Sequence, residues 1–136
     1  MDRTVYISVG GKNYPMRKTI GATRRITEKF GGIGNIPELV DQASDTERLK
    51  IFTDLLEILI AQGCAYKNLF EKDLPVPEDA PVVNGEYIPV TSEELEVGLD
   101  IDDADMIMDK ITECFSAGGK KTIGSEEKEA KNGEAM

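Results

Sequence analysis

A chain of 136 residues with 26 acidic and 16 basic side chains carries a net charge of −10, which argues against a general nucleic-acid binder because phosphate contacts need a basic surface. The length suits one domain with a real core and is too short for two independent ones. Histidine is absent, which removes the commonest general base and metal ligand, and no apolar run approaches the roughly 18 residues of a membrane span.

The charge is unevenly placed. Residues 1–30 hold seven Lys or Arg against two acids, and residues 31–136 hold nine against twenty-four, a dipole able to steer the chain onto itself or onto a polar partner. The opening MDRTVYISVGG lacks the apolar core of a signal peptide, so the expected compartment is the cytoplasm. Cys64 and Cys114 fall within predicted helical apolar surface, where a thiol is a small hydrophobe and no disulfide is implied.

In chain order, residues 4–9 alternate β-formers, GGKN follows, and residues 14–18 resume an extended pattern, which predicts a β-hairpin over 4–18. Pairing Val9 with Tyr14, or Ile7 with Tyr14 across Gly10 and Gly11, leaves Val5, Ile7, Tyr14 and Met16 on the same buried face. Tyr6, Ser8, Pro15 and Arg17 take the other face, where Tyr6 looks misplaced if only water meets it. Thr19 predicts the cap of a helix over 19–30, with Ala22, Ile26 and Phe30 as its stripe and Gly31 and Gly32 as its stop. Arg24, Arg25 and Lys29 lie off that stripe, on a face that is ordinarily solvated but offers Arg24 and Arg25 as candidate partner contacts. GGIGN at 31–35 follows a helix and lacks G-K-[ST], so it reads as a linker rather than a phosphate loop.

Pro37 starts a short predicted helix over 37–43 that delivers Leu39 and Val40 to the core. Residues 46–70 are then the densest run of large apolar side chains, and Ser44 before Glu47 has the spacing of a capping box. At about 100° per residue, Lys50, Thr53, Asp54, Glu57 and Ala61 share one narrow sector. The remaining arc of roughly 200° is filled by Leu49, Ile51, Phe52, Leu55, Leu56, Ile58, Leu59 and Ile60. One neighbour cannot cover such an arc, so this central helix is wrapped on most sides or lends surface to another molecule. Gly63 predicts a stop or bend, giving a helix over 45–62.

The prolines at 75, 77, 81 and 89 forbid a continuous helix beyond Phe70. Asn84 and Gly85 predict a tight turn in a short β-ribbon projecting near 82–90, on which Tyr87 and Ile88 are pinned to the core or offered to a partner. Thr91 and Glu94 repeat the capping-box spacing ahead of a helix over 92–98. Asp102 or Asp103 opens another over 102–117, with Ala104, Ile107, Met108, Ile111 and Phe115 at helical spacing and Gly118 and Gly119 as its stop. Met106 lies outside that stripe and is expected at the surface. The aspartates at 100, 102, 103 and 105 lack the glycine and glutamate of a calcium loop and read as acids at a helix start. Residues 120–136 form a polar tail, expected to be disordered.

These elements predict an α+β, mostly helical fold: one globular domain over 1–119, with the hairpin packed on a small helical bundle. For chemistry, two distant cysteines give no zinc motif, no G-x-S-x-G elbow occurs, and the carboxylates are explained by solvated helix faces. No catalytic, metal or cofactor residue is assigned, and the expectation is a protein that binds other proteins.

The stretch YISVGGKNYPMRKTIGATRRITEKFGG, a short hairpin, then a helix ending in aromatic-Gly, then a leucine-rich helix, resembles the tail assembly chaperones of long-tailed bacteriophages and prophages over roughly residues 4–63. The resemblance implies a non-catalytic protein of the host bacterial cytoplasm that coats the tape-measure protein, helps recruit tail-tube subunits, self-associates and is absent from the finished virion. It also implies apolar grooves that hold amphipathic segments reversibly, for which Tyr6, Arg24, Arg25, Tyr87, Ile88 and Met106 are the candidate partner-binding residues. The competing readings are a head–tail connector or minor tail protein retained in the virion, and a nucleic-acid-binding regulator using Arg17, Lys18, Arg24, Arg25 and Lys29.

Overall fold

The computed structural model describes residues 3–117; the polar tail at 120–136 and the stop at Gly118 and Gly119 lie outside the described residues. In order, the chain forms β1 (Val5–Val9), β2 (Lys12–Met16), α1 (Ile20–Phe30), α2 (Ile36–Gln42), α3 (Asp45–Phe70), β3 (Val82–Val83), β4 (Glu86–Tyr87), α4 (Ser92–Gly98) and α5 (Ala104–Ser116). Single 3-10 turns at Ile33–Asn35 and Ile101–Asp103 lead into α2 and α5. This is the α+β, mostly helical arrangement the sequence predicts.

Gly10 and Gly11 stand at φ 58° and 83°, the two positive values of a tight hairpin turn whose twist matches the strands it joins. They select the register with Ile7 opposite Tyr14 and Val5 opposite Met16. Ile7 and Met16 are fully buried. The second face of the hairpin is covered too: Pro15 is fully buried and Tyr6 half-buried, because the C-terminal half of α3 lies against it.

Around α3 the core closes on most sides, with Leu55, Leu56, Leu59 and Ile60 at 0 % exposure. Its start is the expected capping box: the Glu47 N–H donates to the Ser44 hydroxyl and the Ser44 N–H to the Glu47 carboxylate. One expectation for this helix is overturned. Gly63 does not end it, and the helix runs on to Phe70. That glycine is where β2 crosses: a Cβ built there would stand 2.2 Å from the Pro15 carbonyl oxygen, and nearby the Arg17 N–H donates to the Leu59 carbonyl at 3.2 Å. The polar sector is itself partly buried. Thr53 and Asp54 are only 8 % and 7 % exposed. The Thr53 hydroxyl donates to the Lys50 carbonyl, and the Asp54 carboxylate is met by Lys50 Nζ at 3.1 Å and by Lys29 Nζ at 3.7 Å. Burial of that carboxylate is tolerated because two ammonium groups share it.

Helix α1 has the Thr19 cap, its hydroxyl accepting from the Ala22 N–H, and Gly31 closes it at φ 86°. In α2 the inward pair is Ile36 and Val40, one turn apart, and Leu39 is exposed rather than delivered to the core. The ribbon turns at Asn84 and Gly85 (φ 53° and 86°), its tip exposed and its base tied to α3. Asn68 of α3 accepts from the Tyr87 N–H at 2.9 Å and donates to the Tyr87 carbonyl at 3.0 Å, and the Asn13 N–H of β2 donates to the Asp79 carbonyl at 2.8 Å. A side-chain amide thus holds one residue of the ribbon as a neighbouring strand would.

Helix α4 keeps the Thr91 and Glu94 capping box and buries Leu95. Helix α5 begins at Ala104 with Asp103 as its N-cap, as the sequence predicts, and the Ile101–Asp103 3-10 turn before it is held by the Asp100 N–H donating to the Asp103 carboxylate at 2.8 Å. Ile107, Ile111 and Cys114 point inward. Met106 is half-buried against the core rather than exposed. Among the described residues, no helix is long and apolar enough to cross a membrane.

The crossing at Gly63 gives a prediction whose sign opposes helix propensity. Gly→Ala inside a helix ordinarily stabilises by up to about 1 kcal/mol, yet here the new methyl meets backbone that is held by the hairpin ladder. Gly63→Ala is expected to destabilise by about 1–3 kcal/mol, seen as a lower urea midpoint at unchanged m-value.

Candidate functional site

Helix α4 spans seven residues and Leu95 is its buried side chain. Val97, about 200° around the helix from Leu95, stands 88 % exposed. Apolar clefts open on either side of this short helix.

The first lies between the ribbon, the hairpin and α4. It is about 430 Å³, with Val9, Tyr14, Val82, Val83, Ile88 and Val97 among its walls and Lys12 and Glu94 as charged groups. Three elements meet here because α4 ends hard against the hairpin: a Cβ at Gly98 would approach Val9 Cγ1 to 2.7 Å. Val83 and Ile88 are exposed, and Tyr87, clamped by Asn68, fixes where they stand. Burial pushes the Tyr87 phenol above its ordinary pKa, as it does for Tyr14.

The second cleft, about 380 Å³, lies between the N-terminal half of α3, α4 and the start of α5. Leu49, Phe52, Leu95, Leu99, Ile101 and Ile107 line it, with Glu96 and Asp100 on the rim. Ile101 is 70 % exposed.

At the other end of α3 the surface is basic. Arg3, Arg17, Lys18, Ile20, Tyr66 and Ala117 border a smaller recess. The Arg17 guanidinium lies 3.6 Å from the Tyr66 ring centroid and donates to the Thr4 hydroxyl at 2.9 Å. Lys18 Nζ donates to the Phe115 carbonyl at 2.6 Å. Ile20, the first residue of α1, is 89 % exposed.

The six candidates from the sequence scatter over four places. Tyr6 faces Lys67, whose Nζ is 5.4 Å from the ring centroid and 2.7 Å from Glu71 Oε1. Burial alone would lower the Lys67 pKa, but the hydrogen bond to Glu71 and the neighbouring Tyr6 outweigh it and raise it. Tyr6 is therefore part of an internal polar cluster. Arg24 and Arg25 share the exposed face of α1, Arg24 3.6 Å from Glu28 and Arg25 donating to the Gly21 carbonyl. Tyr87 is pinned, Ile88 opens into the first cleft, and Met106 packs at the core's edge.

Sequence reasoning missed Val83, Val97, Ile101 and Ile20. For Val97 the signal was present: a helix anchored by Leu95 must turn a residue two places on away from the core. Ile20 and Ile101 each open a helical turn, where no apolar stripe has yet begun.

What these surfaces can do is hold apolar segments. Among the described residues, no three Cys, Asp or Glu side chains gather as a metal site. No family model, no curated protein and no solved structure matches this chain.

The thiols supply a test of how closed the core is. Cys64 and Cys114 are 1 % and 0 % exposed, and burial pushes each to about 12 from an ordinary 9.0. At pH 8 neither is expected to react with an aromatic disulfide reagent until urea unfolds the chain, when both react. Below pH 9 the thiols are protonated in both states. Above it the unfolded chain releases protons that the folded chain retains, so stability falls toward pH 12, by up to about 1.4 kcal/mol per pH unit for each thiol. Urea unfolding at stepped pH measures this.

Proposed function

We propose that this chain is a non-catalytic assembly chaperone of a long-tailed phage or prophage, acting in the host bacterial cytoplasm. It holds apolar segments of the tape-measure protein and brings tail-tube subunits to it. The observation that carries this reading is the convergence of Val83, Ile88 and Val97, all exposed, on one cleft between ribbon, hairpin and α4. Exposed apolar side chains scattered singly need no explanation, whereas a group sharing one concave wall is what an amphipathic helix docks into. The clamp on Tyr87 supports the same reading, because it holds the cleft's ribbon wall in place before any partner arrives. Pre-formed walls reduce the ordering cost of binding. The hairpin, helix and leucine-rich helix follow the order on which the resemblance to tail assembly chaperones rests.

A cleft that is mainly apolar suits weak, reversible holding of many similar segments, which is the demand on a coat that must later leave. The net charge of −10 keeps such a surface from indiscriminate aggregation.

The test is binding of the purified chain to fragments of its cognate tape-measure protein, followed by calorimetry. Val83→Asp and Val97→Asp change exposed positions and leave the core alone. Each is expected to weaken binding by about tenfold or more, the equivalent of losing one buried branched side chain. Absence of binding by the unmodified chain would overturn the reading. Mass spectrometry of mature particles should not find the protein, and its presence there would make it a connector or minor tail component instead.

A further inference from the structure

We infer that the outer edge of β1 is a docking site for an extended segment of a different polypeptide, which adds to the hairpin as a third, antiparallel strand. Val5 pairs with Met16, Ile7 with Tyr14 and Val9 with Lys12 around a two-residue turn, which directs the backbone N–H and C=O groups of Val5, Ile7 and Val9 toward β2. Those of Tyr6 and Ser8 point the other way, out of the sheet. Among the described residues, no backbone group meets them.

The two edges of the hairpin are treated differently. On the β2 side the outward N–H of Asn13 donates to the Asp79 carbonyl at 2.8 Å and, just past the strand, that of Arg17 donates to the Leu59 carbonyl at 3.2 Å. Pro15 between them has no N–H to offer. That edge is used up inside the fold. Strand β1 reads VYISV, with none of the charges, prolines or glycines that blunt an exposed edge, and Ser8 is exposed. The strand is also held in place beforehand, because the Pro15 carbonyl is seated on Gly63 and α5 packs against β1. An incoming segment therefore has only itself to order.

Chemistry narrows the occupant. Residues of the added strand that bond to Tyr6 and Ser8 share their half-polar face, and the alternate residues share the apolar face of Val5, Ile7 and Val9. Alternating threonine-like and valine-like side chains meet that demand. Arg3 is exposed just before β1, and none of the ion pairs among the described residues involves it. An antiparallel segment ends beside Arg3, which favours an acid as its last residue. A second copy of this chain lacks that acid. With Tyr6 opposite Ser8 in antiparallel register, its β1 would bring Gly11 and Lys12 to Arg3 and set like charges together.

Amide exchange followed by NMR on the full-length chain tests the edge first. The Ile7 and Val9 amides should be protected, and those of Tyr6 and Ser8 should exchange about tenfold faster or more. The probe is a short synthetic peptide of alternating threonine and valine that ends in glutamate. It should bind with a Kd of about 1 mM or tighter, shifting the Tyr6 and Ser8 amide signals and slowing their exchange. Methylating the backbone nitrogens of its threonines, which face β1, should weaken binding by about tenfold or more, whereas methylating those of its valines should leave it unchanged. Ser8→Pro removes one outward N–H while leaving the bonds between β1 and β2 and should weaken binding by a similar factor; the methylated peptides make the same test on the unaltered chain.

Tyr6 and Ser8 amides already protected in the chain alone would mean that the edge is filled from within or by a second copy, and would overturn the inference. A peptide that does not bind at about 1 mM, or two methylated peptides that behave alike, would do the same. Binding that shifts the Val83 amide and is lost in Val83→Asp would place the peptide in the ribbon cleft and also count against the edge. The measurement needs no tape-measure fragment, and Val83→Asp should leave peptide binding unchanged, so failure here and failure of the proposed partner binding are read separately.

Discussion

The fold depends on one close contact, the passage of β2 over α3 at Gly63. Ordinary strands stand off a helix by the thickness of its side chains, but here the backbone of Pro15 occupies the space a methyl would fill. The approach lets the Arg17 N–H reach the Leu59 carbonyl, an oxygen with a second lone pair to offer beyond its place in the helix ladder. Pro15 itself has no N–H to satisfy, which suits a residue with no exposure at all. The result is a hairpin covered on both faces. Much else follows from that placement: Asn68, five residues after Gly63, is positioned to clamp Tyr87, and the hairpin end becomes the surface against which α4 stops.

How much of this was legible in the sequence follows from how local each cause is. The caps at Thr19, Ser44 and Thr91 and the turns at Gly10 and Asn84 depend on chemistry within four residues, and all are found where the sequence places them. Gly63 was misread because a glycine that ends a helix and a glycine that admits another backbone are the same letter, and only the position of β2 tells them apart. The burial of Asp54 has a similarly distant cause: its sector of the wheel is polar, yet Lys29 of α1 arrives beside it. Leu39 and Met106 show the limit of stripe counting on short elements, where a one-residue rotation exchanges inside and outside. The ribbon was placed correctly along the chain, but its clamp to α3 was not legible, since Asn68 is nineteen residues from its partner.

The candidate surfaces were less legible than the fold, and the reason is physical. A core residue is specified by periodicity, whereas an exposed apolar side chain is visible only against a core already located. Val97 needed Leu95 as its reference, and Val83 and Ile88 needed the clamp that turns them toward α4. The long cations posed a different problem. Arg17 and Lys67 look like surface charge in the sequence, but Arg17 spreads over the Tyr66 ring and Lys67 is shared between Glu71 and Tyr6. Their aliphatic stems and charged heads are absorbed into the fold.

The distribution of exposed apolar side chains relative to the core separates stability from association in this molecule. Ile20 and Ile101 begin helical turns, and Val97 lies opposite the anchor of α4, so none of the three belongs to the buried cluster. Their contacts are with solvent, and burying them against another chain recovers hydrophobic free energy that folding has left unused. Around two of them the charges are of opposite sign, positive beside Ile20 and negative beside Ile101. Unlike charges that face solvent add little to the stability of one molecule.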